Sequence, residues 1–206
     1  MPRHLTMLLA ALTLLAAAPA AAAPQRVVSL NLCVDQYLLA LADREQIAAL
    51  TNFVGDPTMS AAAAQAEGIA QIRGAAEEVI RLQPDLVLGG TFTRRETRGL
   101  LRRMGYRVVD VASAETFEAV RKTTRELAAL LGHPERGERL VAELDREIAA
   151  GAPAGPGATA LYYQRRGFAN GASSLVSEIM ATAGLRNAAA AMGLHRTGRV
   201  DLEAVV

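Results

Sequence analysis

The chain has 206 residues, room for one or two domains, and 51% of them are hydrophobic, enough for a substantial core. Lysine and arginine number 22 against 21 aspartates and glutamates, so no bulk charge recruits nucleic acid or an acidic membrane surface. A single cysteine, Cys33, excludes an internal disulfide, and past the N-terminus no stretch approaches the ~20 apolar residues of a membrane span.

Residues 1–23 read as a secretory signal peptide. Arg3 and His4 form a short polar start, residues 5–18 an apolar run, and Pro19 breaks it. Ala20 and Ala22 offer an A-x-A site with cleavage after Ala22; cutting after Ala23 would set Pro24 against the scissile bond. No cysteine stands at this junction, so the expectation is an exported, soluble protein without a lipid anchor.

The β-branched run 26–30 predicts a buried strand, feeding a helix over 35–42 where Tyr37, Leu38 and Leu41 recur at helical spacing. Residues 47–50 are a second strand. Residues 53–71 are loop-like, with Gly55-Asp56-Pro57 as turn chemistry and an alanine-rich piece that suits a short helix. A helix over 75–82 is stopped by Pro84, and a strand over 85–88 runs into Gly89-Gly90. A helix over 94–104 follows, with Gly105 just past its end, and then a strand over 106–111. The arginine-rich run within that helix carries Glu96 and reads as a solvated face.

Strict alternation of strand and helix predicts a parallel sheet covered on both faces. Ligands bind such sheets at the carboxyl ends of the strands. Those ends are Asn31-Leu32-Cys33, Thr51-Asn52-Phe53 and Gly89-Gly90-Thr91-Phe92, all polar or glycine-rich. On this rule Asn31, Asn52 and Thr91 are candidate ligand-binding residues.

A helical block comes next. Residues 116–131 end at Gly132, and Pro134 restarts a helix whose Leu140, Val141, Leu144 and Ile148 form one apolar stripe to residue 150. A Pro/Gly linker spans 151–157, and 160–163 predicts the strand that opens a second lobe. Alternation within it requires one of Tyr162 and Tyr163 to point into the core, leaving only one free for a ligand. Tyr163, Arg166 and Phe168 are the candidates on this side, with Arg165 beside them. Ser173 or Ser174 caps a helix over 175–182, Glu178 lies near its first turn, and Gly184 ends it.

The chain also repeats itself. Glu77 precedes Pro84-Asp85-Leu86-Val87, and Asp201-Leu202-Glu203-Ala204-Val205-Val206 begins the same pattern with Glu203 aligned to Glu77. It stops about three residues short of a second Pro-Asp, as expected for two related lobes of which the second is incomplete.

The order of these pieces resembles the periplasmic substrate-binding proteins of ABC importers for cobalamin and ferric siderophores. The residues carrying the likeness are Arg26-Val27-Val28-Ser29-Leu30-Asn31, the unit from Glu77 to Val87, and Leu131-Gly132 with Pro134 before a long helix. Gly171, Ser174 and Leu175 leading into Ala183-Gly184-Leu185 and Asn187 complete it. The resemblance implies two doubly wound α/β lobes joined by a single long helix, with the ligand between them. The parts would be an N-terminal lobe over 24–114, a helical block over 115–150 containing the connecting helix, and a partial C-terminal lobe over 151–206.

It further implies a periplasmic receptor for a metal chelate (a ferric siderophore, haem or cobalamin), with no chemistry and no resident cofactor of its own. The stretch Asn31-Leu32-Cys33-Val34-Asp35-Gln36 differs from cobalamin-binding members, so the choice among chelates stays open. Glu77 and Glu203 take the positions of the glutamates that dock on an inner-membrane ABC permease dimer, whose ATPase subunits supply the energy. Both would start helices at the outer ends of the lobes, away from the strand-end loops; an acid there also simply favours the helix dipole.

From a different class, Cys33 between a strand end and a helix start suits the thiolate of an exported α/β enzyme. Only His133 and His195 remain to partner it in the mature chain, and two histidines are also too few for a bare transition-metal site. Gly89-Gly90-Thr91 lacks the lysine and spacing of a phosphate loop.

Overall fold

A computed structural model describes residues 22–151 and 157–205. The predicted leader, apart from its last two alanines, and the middle of the Pro/Gly linker lie outside the described residues. So does Val206, the last residue of the second repeat.

Five short strands make the first sheet: β1 (Val27–Ser29), β2 (Ile47–Thr51), β3 (Gln71–Ile72), β4 (Leu86–Gly90) and β5 (Val108–Val111). All pair in parallel in the order β3-β2-β1-β4-β5. Parallel strands need crossovers, and the helices that supply them are α1 (Leu32–Leu41), α2 (Ala76–Arg81) and α3 (Arg95–Arg103). Two apolar layers result. Leu38, Leu41, Leu50, Leu86 and Leu88 pack on one face with Leu127 and Leu131; Val28, Ala49, Val79, Val87 and Leu101 pack on the other. The strands therefore read as near-continuous apolar runs, as both-face burial requires.

Helix α4 (Phe117–Leu131) closes the first layer and turns at Gly132, whose φ of 88° suits glycine, into α5 (Pro134–Ala150). The corner is tied to the sheet's amino end. Arg136 donates to the Leu41 carbonyl and the Asp43 carboxylate, both at 2.7 Å, and Gln46 donates to the Pro24 and Leu131 carbonyls. At 1.5 Å per residue α5 carries the chain about 25 Å.

The second lobe has β6 (Thr159–Ala160), β7 (Phe168–Ala169), α6 (Leu175–Thr182), β8 (Arg186–Asn187), α7 (Ala188–Ala191) and β9 (Gly198–Arg199). Strands β6 and β8 pair in parallel around α6, continuing the α/β plan, whereas β7 and β9 pair antiparallel. Ser174 caps α6, accepting from the Ser177 N–H at 3.2 Å. A 3-10 turn over Leu202–Ala204 occupies the second copy of the repeat. No described helix is long and apolar enough to cross a membrane.

Several expectations shift. Residues 53–70 form turns without the short helix, and β3 was not foreseen, because two residues carry no periodicity. The strand expected over 160–163 is confined to Thr159–Ala160 plus one bridge at Tyr163, so alternation does not govern the tyrosines; Tyr162 is 54% and Tyr163 41% exposed. The arginine run is not wholly solvated either. The Arg98 side chain is only 15% exposed, lies over Gly89 and pairs with Asp110 at 2.6 Å, with Arg102 on the other carboxylate oxygen.

Candidate functional site

The order 3-2-1-4-5 reverses direction between β1 and β4, and a sheet opens a crevice beyond the strand ends at such a switch point. Asn31 sits there as the cap of α1, its backbone extended and its Oδ1 accepting from the N–H groups of Cys33 (3.0 Å) and Val34 (3.4 Å). Gly90 faces it: a Cβ at that position would come within 2.6 Å of Asn31 Cγ, so close approach demands glycine. Thr93 stitches the two strand ends together, its hydroxyl accepting from Gly90 N–H and donating to the Leu30 carbonyl, each at 2.9 Å.

Beyond this seam lies a pocket of about 220 Å³. Cys33 and Tyr37, one helical turn apart on α1, form one wall, and the β4 and β5 ends another, where Ser113 donates to the Thr91 hydroxyl at 3.1 Å. Phe92 stands 86% exposed at the rim. Val120 of α4 and Leu175 of α6 close the far side, so the pocket lies between the lobes. A second, polar hollow of about 550 Å³ is lined by Glu115, Ser173, Arg196 and Thr197, again drawn from both sides. Burial pushes the Tyr37 phenol up, which keeps it neutral.

Asn31 and Thr91 thus line the pocket, although the Asn31 oxygen is already committed to the α1 cap. Asn52 does not; it is exposed past β2, its N–H donating to the Ile72 carbonyl. Tyr163, Arg166 and Phe168 come together elsewhere, on a turn at the second lobe. Tyr163 donates to the Val200 carbonyl at 3.3 Å, Arg166 holds a left-handed φ of 64°, and Phe168 pairs with Arg199 of β9. None of the three lines the pocket.

Cys33 and Phe92 lie in the strand-end segments expected to line the cleft, though neither is among the candidate ligand residues; Tyr37, Ser113 and Leu175 were not read as wall residues. The i,i+4 spacing on α1 could have paired Tyr37 with Cys33. Leu175 carries no such signal, because only the placement of the second lobe brings it there.

Glu77 is exposed in the first turn of α2, and Glu203 is exposed in the Leu202–Ala204 turn. Each is the second residue of its turn, after a residue with nearly the same backbone (Ala75 φ −71°, ψ 144°; Asp201 φ −70°, ψ 147°). One expectation about Glu77 is corrected. Helix α2 starts four residues after β3 ends, so its first turn lies at the carboxyl end of the sheet, the same end as the strand-end loops. Among the described residues no three His, Cys, Asp or Glu side chains gather as a metal site. His133 is held at the opposite end of the sheet by Gln46 and Asp43, remote from Cys33.

Residues 27–206 match the family described as periplasmic binding protein. The chain belongs to that family. A cobalamin-binding protein of Halobacterium salinarum is 27% identical over 172 residues, covering 81% of this chain and 47% of its own length. The chain therefore spans about half the length of the curated relatives it matches. Among solved structures, the periplasmic heme-binding protein RhuT of Roseiflexus sp. RS-1 in apo form is 27% identical with a TM-score of 0.71, over 88% of this chain and 72% of that one. The periplasmic heme-binding protein HutB of Vibrio cholerae, at 19% identity, shares the fold with a TM-score of 0.72, over 88% of this chain and 72% of that one. The periplasmic binding protein fold thus accounts for two α/β lobes and the helix between them.

Proposed function

We propose that this periplasmic binding protein is an exported receptor that takes a bulky metal chelate into the inter-lobe groove and delivers it to an inner-membrane ABC permease. The observation that carries the reading is the pocket at the switch point, walled by Tyr37 and Phe92 and closed by Leu175 of the second lobe. Aromatic faces suit a flat macrocycle. Arg165 and Arg166 lie exposed on the second-lobe turn outside this pocket, and would meet the anionic oxygens of a haem propionate or a ferric siderophore where a chelate extends beyond it. Relatives named as cobalamin- and heme-binding proteins favour this class of ligand over sugars or amino acids. They also favour a receptor over an enzyme using Cys33.

The chain has no tryptophan, so calorimetry or tyrosine fluorescence against haem, cobalamin and ferric siderophores is the practical screen. The expected outcome is tight binding within one of these chelate classes, weakened by Phe92→Ala while Cys33→Ser leaves the protein a binder. Tight binding of free zinc, a sugar or an amino acid, with no response to any chelate, overturns the reading.

Docking on the permease is assigned to Glu77 and Glu203. With Glu77 at the carboxyl end of the sheet, a receptor held by it turns the groove toward the permease and its ATPase subunits. A carboxylate in an arginine pocket gains charge-assisted hydrogen bonds that alanine cannot replace, and two contacts on one dimer act together. Glu77→Ala with Glu203→Ala is therefore expected to abolish uptake while ligand affinity stays unchanged. Normal transport by the double variant would reduce both glutamates to helix-start acids.

A further inference from the structure

Two lobes with separate cores need something to set the gap between them. The first-lobe clusters and the small second-lobe cluster around Ala169, Ala189 and Val200 share no residue. Among the described residues, a single hydrogen bond joins residues 157–205 to residues 22–151: the Phe117 N–H donates to the Glu178 carboxylate at 2.5 Å. No ion pair among them crosses that boundary.

The chemistry of this contact is specific. Phe117 is the first residue of α4, so its N–H has no partner within the helix and sits at the positive end of the helix dipole. Thr116 accepts from Ala119 N–H at 3.0 Å, so a local side chain and a distant one divide the donors of this terminus. Leu175 lies three residues before Glu178 on α6, and Val120 three residues after Phe117 on α4. Both line the pocket, whereas Glu178 does not. The bond therefore stands one turn behind the groove on each side.

We propose that Glu178 is a positioning residue, a strut that fixes the separation of the lobes and thereby the width of the groove without touching the ligand. This rests on the receptor reading only for its effect on affinity; the distance it sets does not depend on which ligand is bound. A neutral amide keeps an oxygen that can accept the Phe117 N–H, so Glu178→Gln retains most of the strut, while Glu178→Ala removes it.

The test is pulsed dipolar spectroscopy on the ligand-free chain, spin-labelled at Arg107→Cys and Met192→Cys in a Cys33→Ser background, both label sites being exposed. A narrow distance distribution is expected for Glu178, a nearly unchanged one for Glu178→Gln, and a broadened or shifted one for Glu178→Ala. Thr116→Ala serves as the control: it removes the other cap of α4, lowers the melting temperature and leaves the distance unchanged. In chains with native Cys33, haem or another chelate that binds should lose about tenfold in affinity on Glu178→Ala, the scale of a charge-assisted hydrogen bond. An unchanged distribution in Glu178→Ala overturns the strut whatever the ligand results. A broadened one with no chelate binding at all leaves the strut standing and overturns the receptor reading instead.

Discussion

The two lobes spend their sequence differently. The first buries leucines and valines on both faces of five parallel strands, whereas the second encloses a cluster of two alanines and a valine between two-stranded pairs. Two-stranded pairs are marginal on their own, so among the described residues the first lobe's geometry follows from its packing, while residues 157–205 carry a smaller core and meet the first lobe through one hydrogen bond. Within the described residues the groove is therefore walled on one side by a packed sheet, the stiff wall, and on the other by residues with a smaller core. The switch-point side of the pocket is built on the tight contacts of Asn31, Gly90 and Thr93, and the far side on Val120 of α4 and Leu175 of α6.

The contrast breaks first under core truncation. Leu86, fully buried in the middle of the sheet, should cost about 2–5 kcal/mol as Leu86→Ala and shift the main unfolding transition. Val200→Ala removes two methyl-sized groups from the small cluster, about 1–2 kcal/mol, and should leave that transition in place while sensitising the 163–169 turn to protease. Calorimetry with limited proteolysis separates the two. Equal shifts of one cooperative transition would mean that the lobes fold as a unit.

A smaller effect is expected at the stiff wall itself. Gly90→Ala forces a Cβ against Asn31, whose side chain is pinned as the α1 cap, at about 1–3 kcal/mol of overpacking. Asn31→Ala alone loses the cap, about 1 kcal/mol. Because Asn31→Ala also frees the space, the double variant should be less destabilised than the sum, a coupling that denaturant melts can read. Additive losses would show that the seam yields and that the wall is not stiff.

This division also governs what could be read from sequence. Strands β1, β2 and β4 and helices α3, α4, α5 and α6 were legible because burial leaves apolar runs or periodic stripes and because Gly105, Gly132, Pro134 and Ser174 punctuate them. Asn31 and Thr91 followed from the strand-end rule. The second-lobe residues failed for a physical reason: with strands only two residues long, alternation around Tyr162 and Tyr163 has nothing to act on. Arg98 was misread because its burial depends on Gly89 and Asp110, neighbours in space and not in the helix. Glu178 lies in the first turn of its own helix, as expected, and in addition accepts from the first N–H of α4, a contact that no local pattern announces.

The least of these effects is a change in pH dependence within the stiff lobe. Asp35 is fully buried between α1 and β2, its carboxylate accepting from the Thr51 N–H and hydroxyl. Burial pushes its carboxyl above the usual range, outweighing the hydrogen bonds from Ser29 and Thr51 that act the other way. The folded chain therefore holds this proton more firmly than the unfolded chain. Its contribution to stability is fully present below the unfolded value of 3.8, is lost as pH rises through the folded value, and is flat above that. Asp43, Asp56 and Asp110 are shifted down by their hydrogen-bonding and charged partners and contribute the opposite slope, so the whole-protein curve does not isolate Asp35. The difference between Asp35→Asn and the parent does. The variant carries no titrating proton, so its stability relative to the parent should rise with pH over that window, by no more than about 1.4 kcal/mol per pH unit for one proton. Melts at several pH values below neutrality would show it. A difference independent of pH would mean that water reaches the carboxylate and that the first lobe is looser than its packing indicates.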